Sequence, residues 1–152
     1  MLHEARQVPA WLIFDVRQKM TSWSLQEGAA SLSLTSESDG DGDYLVSLEV
    51  SVEGFTGHAD GHVVGSDWVS FVAAVRKLEK ARKGEARFES AIPGEFELRL
   101  HSIDSRGHMG ASGSLRFSRA GGEDWPHQFL RFAFEFDPSK LVALARDVVP
   151  SR

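Results

Sequence analysis

The residues of this chain that could do chemistry are its histidines and a run of alternating acids. His58, Asp60 and His62 share one parity on a stretch that reads as a strand, so all three project from the same face. Alternate strand positions can give two ligands to one metal while a neighbouring strand gives the third. Polar residues on a wetted sheet face produce the same spacing, and Gly57 and Gly61 loosen the strand that carries it. Asp39, Asp41 and Asp43 alternate with glycines in the manner of a calcium loop. An EF-hand, however, needs glycine where Tyr44 stands and a bidentate glutamate where Val50 stands, so a flexible acidic hairpin tip is expected instead. His101 and His108 lie on the outward parity of neighbouring strands, directly opposed or one diagonal apart. Together with Glu97, Arg99 and Asp104 they could assemble an acid–base site. No nucleophile in a recognisable setting accompanies them, and the GxSxG, phosphate-loop and dinucleotide glycine patterns are missing. An exposed polar ladder is the plainer account, and neither an enzyme nor a cofactor is expected.

The charge map is lopsided. From Met20 to Val75 there is no lysine or arginine, while Glu27, Glu37, Asp39, Asp41, Asp43, Glu49, Glu53, Asp60 and Asp67 all fall in that half. Such a half repels nucleic acid and attracts a basic protein, chiefly by raising the association rate. It equally keeps strands soluble. Cysteine is absent, which excludes disulfides and thiol chemistry and argues against a structural zinc cluster. Glu4, Arg6 and Gln7 interrupt any signal-like start and no apolar run reaches the length of a membrane span, so a cytoplasmic protein that avoids membranes is expected.

The elements that must position these groups follow from periodicity. The 152 residues fit one domain with a core rich in phenylalanine, and Met1 to about residue 8 reads as a mobile tail. Pro9 to Val16 carries Trp11, Leu12, Ile13 and Phe14, a run that fits a strand buried on both faces or a short helical turn, of which the strand is favoured; Trp23 and Leu25 mark a second apolar patch. Ala30–Thr35 and Tyr44–Glu53 alternate with period two, and Phe55–Val64 continues as a strand whose glycines imply a bulge or a close backbone approach. Ser66–Lys83 is the central helix, with Trp68, Phe71, Val72, Val75 and Leu78 on one stripe, Ser66 or Asp67 as its cap and Gly84 as its stop. Strands then follow at Ala86–Ser90, Phe96–Leu100, Met109–Phe117 and Leu130–Phe136. To share a face, even positions of the second must oppose odd positions of the third. Asp137 and Pro138 open a C-terminal helix whose buried stripe is Leu141, Val142, Leu144, Ala145 and Val148, ended by Pro150. Phe129, on an outward position, and Trp125, in a loop, either close the core's edge or anchor an interface. The fold class expected is α+β: a curved, mainly antiparallel sheet, open-barrel or sandwich-like, packed by a central and a C-terminal helix, with no internal repeat.

Three stretches carry a family likeness: Gly94–His108 with its Arg106-Gly107-His108 turn, the strand Gly113-Ser-Leu-Arg-Phe117, and Leu130–Leu141 running from an apolar strand through Asp137-Pro138. Together with the Phe55–Gly57 strand before the central helix, they resemble small bacterial proteins related to the WapI-type immunity proteins over roughly Ala30 to Val149. That resemblance implies a non-enzymatic cytoplasmic protein that binds and blocks a cognate toxin, and it carries no functional residue onto a position here. Met1–Gly28 falls outside it. The function expected is therefore a protein-binding module of the immunity kind, with Asp39, Asp41, Asp43, Glu49 and Glu53 steering it to a basic toxin domain. The rivals are a small-ligand carrier with a cavity between sheet and helix, and a metal-dependent enzyme built on His58, Asp60 and His62.

Overall fold

The computed structural model describes residues 20–117 and 128–147. The expectations for Met1–Val16, for Trp125 and its loop, and for Val148 and Pro150 lie outside them. In chain order the elements are β1 (Met20–Glu27), β2 (Ala30–Ser38), β3 (Tyr44–Val52), β4 (Phe55–Val63), α1 (Gly65–Ala81), β5 (Glu85–Glu89), β6 (Phe96–Ser102), β7 (Met109–Phe117), β8 (Gln128–Phe136) and α2 (Lys140–Asp147). The strands form two antiparallel four-stranded sheets, β1-β2-β3-β4 and β5-β6-β7-β8, each an uninterrupted meander followed by a helix. The topology thus repeats ββββα although the sequence shows no repeat. No helix among the described residues is long and apolar enough to cross a membrane.

Alternation sets which face each strand buries. On β3, Val46, Leu48 and Val50 are buried while Leu45 and Glu49 are exposed. Leu32 and Leu34 of β2 and Trp23 and Leu25 of β1 join them, so the Trp23 patch is the centre of a full strand. In the second sheet, Phe96, Leu98 and Leu100 oppose Leu115, Gly113 and Ala111, the even-to-odd pairing that the patterning requires. Gly113 is a socket: a Cβ there would lie 2.3 Å from the Glu97 carbonyl and 2.8 Å from the Phe132 ring, which fills the space instead. β4 pairs with β3 without a break in register, so its glycines make no bulge. Gly61 is a close approach, since a Cβ would meet Glu95 and Phe96 at 2.7 and 3.2 Å.

Helix α1 holds the two sheets together. Its buried residues are Trp68, Phe71, Val72, Val75 and Leu78, the stripe that the spacing predicts. The Trp68 ring lies tilted 5.7 Å from Tyr44 of the first sheet and edge-on 5.3 Å from Phe88 of the second; Phe71 and Phe88 stand 4.9 Å apart, and Phe96 extends the chain of rings. Burying each such side chain contributes about 1.5–3 kcal/mol. Helix α2 contributes Leu141 and Leu144 and packs against α1 and β1. Val142 is half exposed rather than part of its stripe, while Ala145 is partly buried against the core as the stripe expects.

The ends of α1 differ from the expectation. Neither Ser66 nor Asp67 caps it; the Gly65 N–H donates to Asp43 Oδ1 at 2.8 Å, from the β2–β3 turn 22 residues earlier. A carboxylate at a helix N-terminus is favoured by both the free amide and the dipole. At the other end the helix closes on Arg82, left-handed at φ 56, two residues before Gly84, which is itself at φ 105; the Arg82 Nε donates to the Glu79 carbonyl at 2.8 Å. The turn and the helix touch so closely that a Cβ on Gly65 would sit 2.0 Å from the Gly42 carbonyl oxygen. Asp43→Ala is expected to cost about 1 kcal/mol of unfolding free energy, and Gly65→Ala about 1–3 kcal/mol through overpacking. Urea denaturation measures both, and wild-type midpoints would show that the turn does not hold the helix.

Candidate functional site

The outward positions of the first sheet line up in four rows, each crossing β1 to β4. They are Met20, Glu37, Leu45, His62; Ser22, Thr35, Ser47, Asp60; Ser24, Ser33, Glu49, His58; and Gln26, Ser31, Ser51, Thr56. Half of these positions are serine or threonine, and none is lysine or arginine. The face is therefore low, hydroxylated and acidic. Short side chains have little rotamer freedom to lose when another surface settles on them. Across the first two rows runs an open groove of about 370 Å³, lined among others by Met20, Thr35, Glu37, Leu45, Ser47, Asp60 and His62.

The second sheet's outer face is balanced by contrast. Its register sets Arg87 against Arg99 and Glu89 against Glu97, like charges that would repel. Diagonal pairs relieve this, Arg87 Nη2 reaching Glu97 at 3.2 Å and Arg99 Nη2 reaching Glu85 at 2.7 Å, and Arg87 Nη2 also meets Glu89 of its own strand at 3.3 Å. Phe129 stands on that face opposite Arg116 and is 62% exposed, so it does not close the core.

The five acids expected to meet a partner are dispersed. Asp39, Asp41 and Asp43 share the β2–β3 turn, but two of them are engaged in it. Asp39 Oδ1 accepts from the Asp41 and Asp43 amides at 2.7 and 3.2 Å, and its side chain is only 15% exposed. Asp43 caps α1, which leaves Asp41 as the exposed carboxylate of the tip. A loop that looks like a calcium site is thus a helix-capping turn. Glu49 lies mid-face between Ser33 and His58. Glu53 sits in the tight β3–β4 hairpin, at the opposite end of the sheet from Asp41, at φ 39 beside Gly54 at φ 88.

The histidines also separate. His58 Nε2 lies 3.8 Å from Asp60 Oδ2, whereas His62 Nε2 lies 3.7 Å from Asp39 Oδ2. His58, Asp60 and His62 share a face, yet among the described residues no three metal-ligating groups are placed to hold an ion. His101 opposes Gly110, so His108 takes the diagonal position and falls in the turn before β7. The His101 ring covers Gly110, where a Cβ would come within 3.2 Å of it, and its Nε2 is 3.5 Å from Ser112 Oγ. His108 Nδ1 bonds Asp104 Oδ2 at 2.6 Å, while Asp104 Oδ1 accepts the Arg106 amide at 2.8 Å. The two rings serve different partners and do not form one site. Sequence spacing missed Met20, Glu37 and Leu45; only the register, which puts them in one row with His62, reveals them.

No family model and no curated protein matches this chain. A chain from crystal structures of trypanosome MRP1/MRP2 is similar over 93% of this chain and 91% of that one, at 10% identity and a TM-score of 0.47. So faint a likeness carries no argument about either fold or function.

The hydrogen bond from Asp104 raises the His108 pKa above its ordinary 6.5 and depresses that of Asp104 below 3.8. Raised in the fold, His108 contributes stability in full below its unfolded value, and that contribution is lost as pH rises through the folded one. Asp104 contributes above its unfolded value and loses the contribution as pH falls through its depressed one. The pair therefore supports the turn most between those two limits. An NMR titration should place the His108 midpoint above the ordinary imidazole value and return it there in Asp104→Asn; an unmoved midpoint would contradict the pairing.

Proposed function

We propose that this chain is a non-enzymatic protein-binding module, an immunity protein that neutralises a cognate toxin by seating a basic surface of it on the outer face of the β1–β4 sheet. One observation supports this above the others: a four-strand face without a lysine or arginine, on which Glu37, Glu49 and Asp60 stand among hydroxyls, while the arginines of β5 and β6 pair with the glutamates beside them. A surface of one sign draws in a partner of the other and rejects nucleic acid. The WapI-type resemblance supplies the toxin as the class of partner, and with it the bacterial cytoplasm as the place of action.

The rivals find less support. A carrier needs room between sheet and helix, where the Trp68, Phe71 and Phe88 rings stand 4.9 to 5.3 Å apart. An enzyme using His58, Asp60 and His62 needs them on one ion, whereas the two histidines face different carboxylates.

Asp41, Glu49 and Glu53 are exposed, and their side chains make no hydrogen bond among the described residues. Their combined reversal to lysine should leave the fold intact while slowing association with the toxin domain about tenfold at low salt and flattening its salt dependence. The partner to use is the variable C-terminal domain of the large secreted protein that an immunity role requires to be encoded beside this chain. Stopped-flow association rates decide: unchanged kinetics remove the steering, and no complex with that domain removes the immunity role.

A further inference from the structure

We infer that the groove across the first two rows of the β1–β4 face is a receptor for one arginine side chain of the partner. The inference rests on the binding role of that face and names what it grips. The row Met20, Glu37, Leu45, His62 places two apolar side chains on either side of a carboxylate. Met20 is 63% exposed and Leu45 40%, although both are large and apolar. Beside that row, Thr35 and Ser47 offer hydroxyls, and Asp60 closes the groove with a second carboxylate.

The lining matches a guanidinium group by group. Its flat faces are weakly hydrated and lie well against apolar side chains, here the thioether of Met20 and the branched end of Leu45. Its edge carries five donors, for which the Glu37 and Asp60 carboxylates and the Thr35 and Ser47 hydroxyl oxygens are acceptors. The His62 ring at the groove's end lies toward Asp39, its Nε2 3.7 Å from Asp39 Oδ2. The strands β1 to β4 themselves offer no competing cation, since no lysine or arginine occurs between Met20 and Val75. A lysine ammonium, a compact and strongly hydrated point charge, would use one carboxylate and leave the apolar walls uncovered.

The probe is Nα-acetyl-arginine amide titrated into the full-length 15N-labelled chain, with the uncharged citrulline analogue of the same shape as a control. Arginine amide should shift the amides of Glu37, Leu45, Ser47 and Asp60 saturably, citrulline amide should not, and the double variant Glu37→Gln, Asp60→Asn should bind at least about tenfold more weakly. Leu45→Ser, which keeps both carboxylates, should weaken it as well and so separates a walled groove from mere charge. Equal shifts with citrulline, shifts spread evenly over β5 to β8, or binding unaltered in both variants would overturn the inference. If arginine amide fails at the groove while the toxin domain still binds and responds to the Asp41, Glu49 and Glu53 reversal, the groove is wrong and the binding face stands. If arginine amide binds there but no toxin domain does, the partner class is wrong and the groove stands.

Discussion

The whole arrangement depends on a row of rings: Tyr44, Trp68, Phe71, Phe88 and Phe96, with neighbouring centroids between 4.9 and 6.3 Å apart. Tyr44 belongs to the first sheet, Phe88 and Phe96 to the second, and the two between them to α1. Aromatic pairs in these tilted and edge-on geometries add about 0.5–1.5 kcal/mol each beyond the area they bury. Through them the helix ties the inner face of one sheet to that of the other. Among the described residues, both outer sheet faces are then left uncovered.

From that constraint the two outer faces take opposite courses. The β5–β8 face carries both signs of charge and resolves its like-charge neighbours through diagonal ion pairs, each exposed and worth at most about 1 kcal/mol. The β1–β4 face carries one sign, short hydroxyls and the two apolar side chains Met20 and Leu45. On the β5–β8 face the charges answer one another, and Phe129 is the exposed apolar side chain that interrupts it. A face with unbalanced charge and exposed apolar area gains by being covered.

Much of the fold was legible because it is local. The α1 stripe follows from a period of 3.6, the strand faces from a period of two, and the β6–β7 register from the need to keep both apolar sets inside. What escaped the sequence is non-local. Asp43 caps a helix that starts 22 residues later, so a turn with ligand-like spacing proved to be a structural clamp. Gly113 makes sense only once Phe132 is seen across it, and β1 has too few apolar residues for its length to be read. The candidate site divides the same way. The missing cations were visible in the chain, but Asp39 and Asp43 are engaged within the fold, and the row of Met20, Glu37, Leu45 and His62 exists only through pairing.

The most direct test of a binding face on β1–β4 uses the chain's lack of cysteine. Single cysteines placed at Ser33 and Ser47 report on that face, and at Ser112 and Ser114 on the other; a soluble maleimide then reads their accessibility with and without the bound toxin domain. Protection of Ser33→Cys and Ser47→Cys, with labelling of Ser112→Cys and Ser114→Cys unchanged, is the predicted result. Protection confined to the β5–β8 pair, or none at either face within a stable complex, would contradict it.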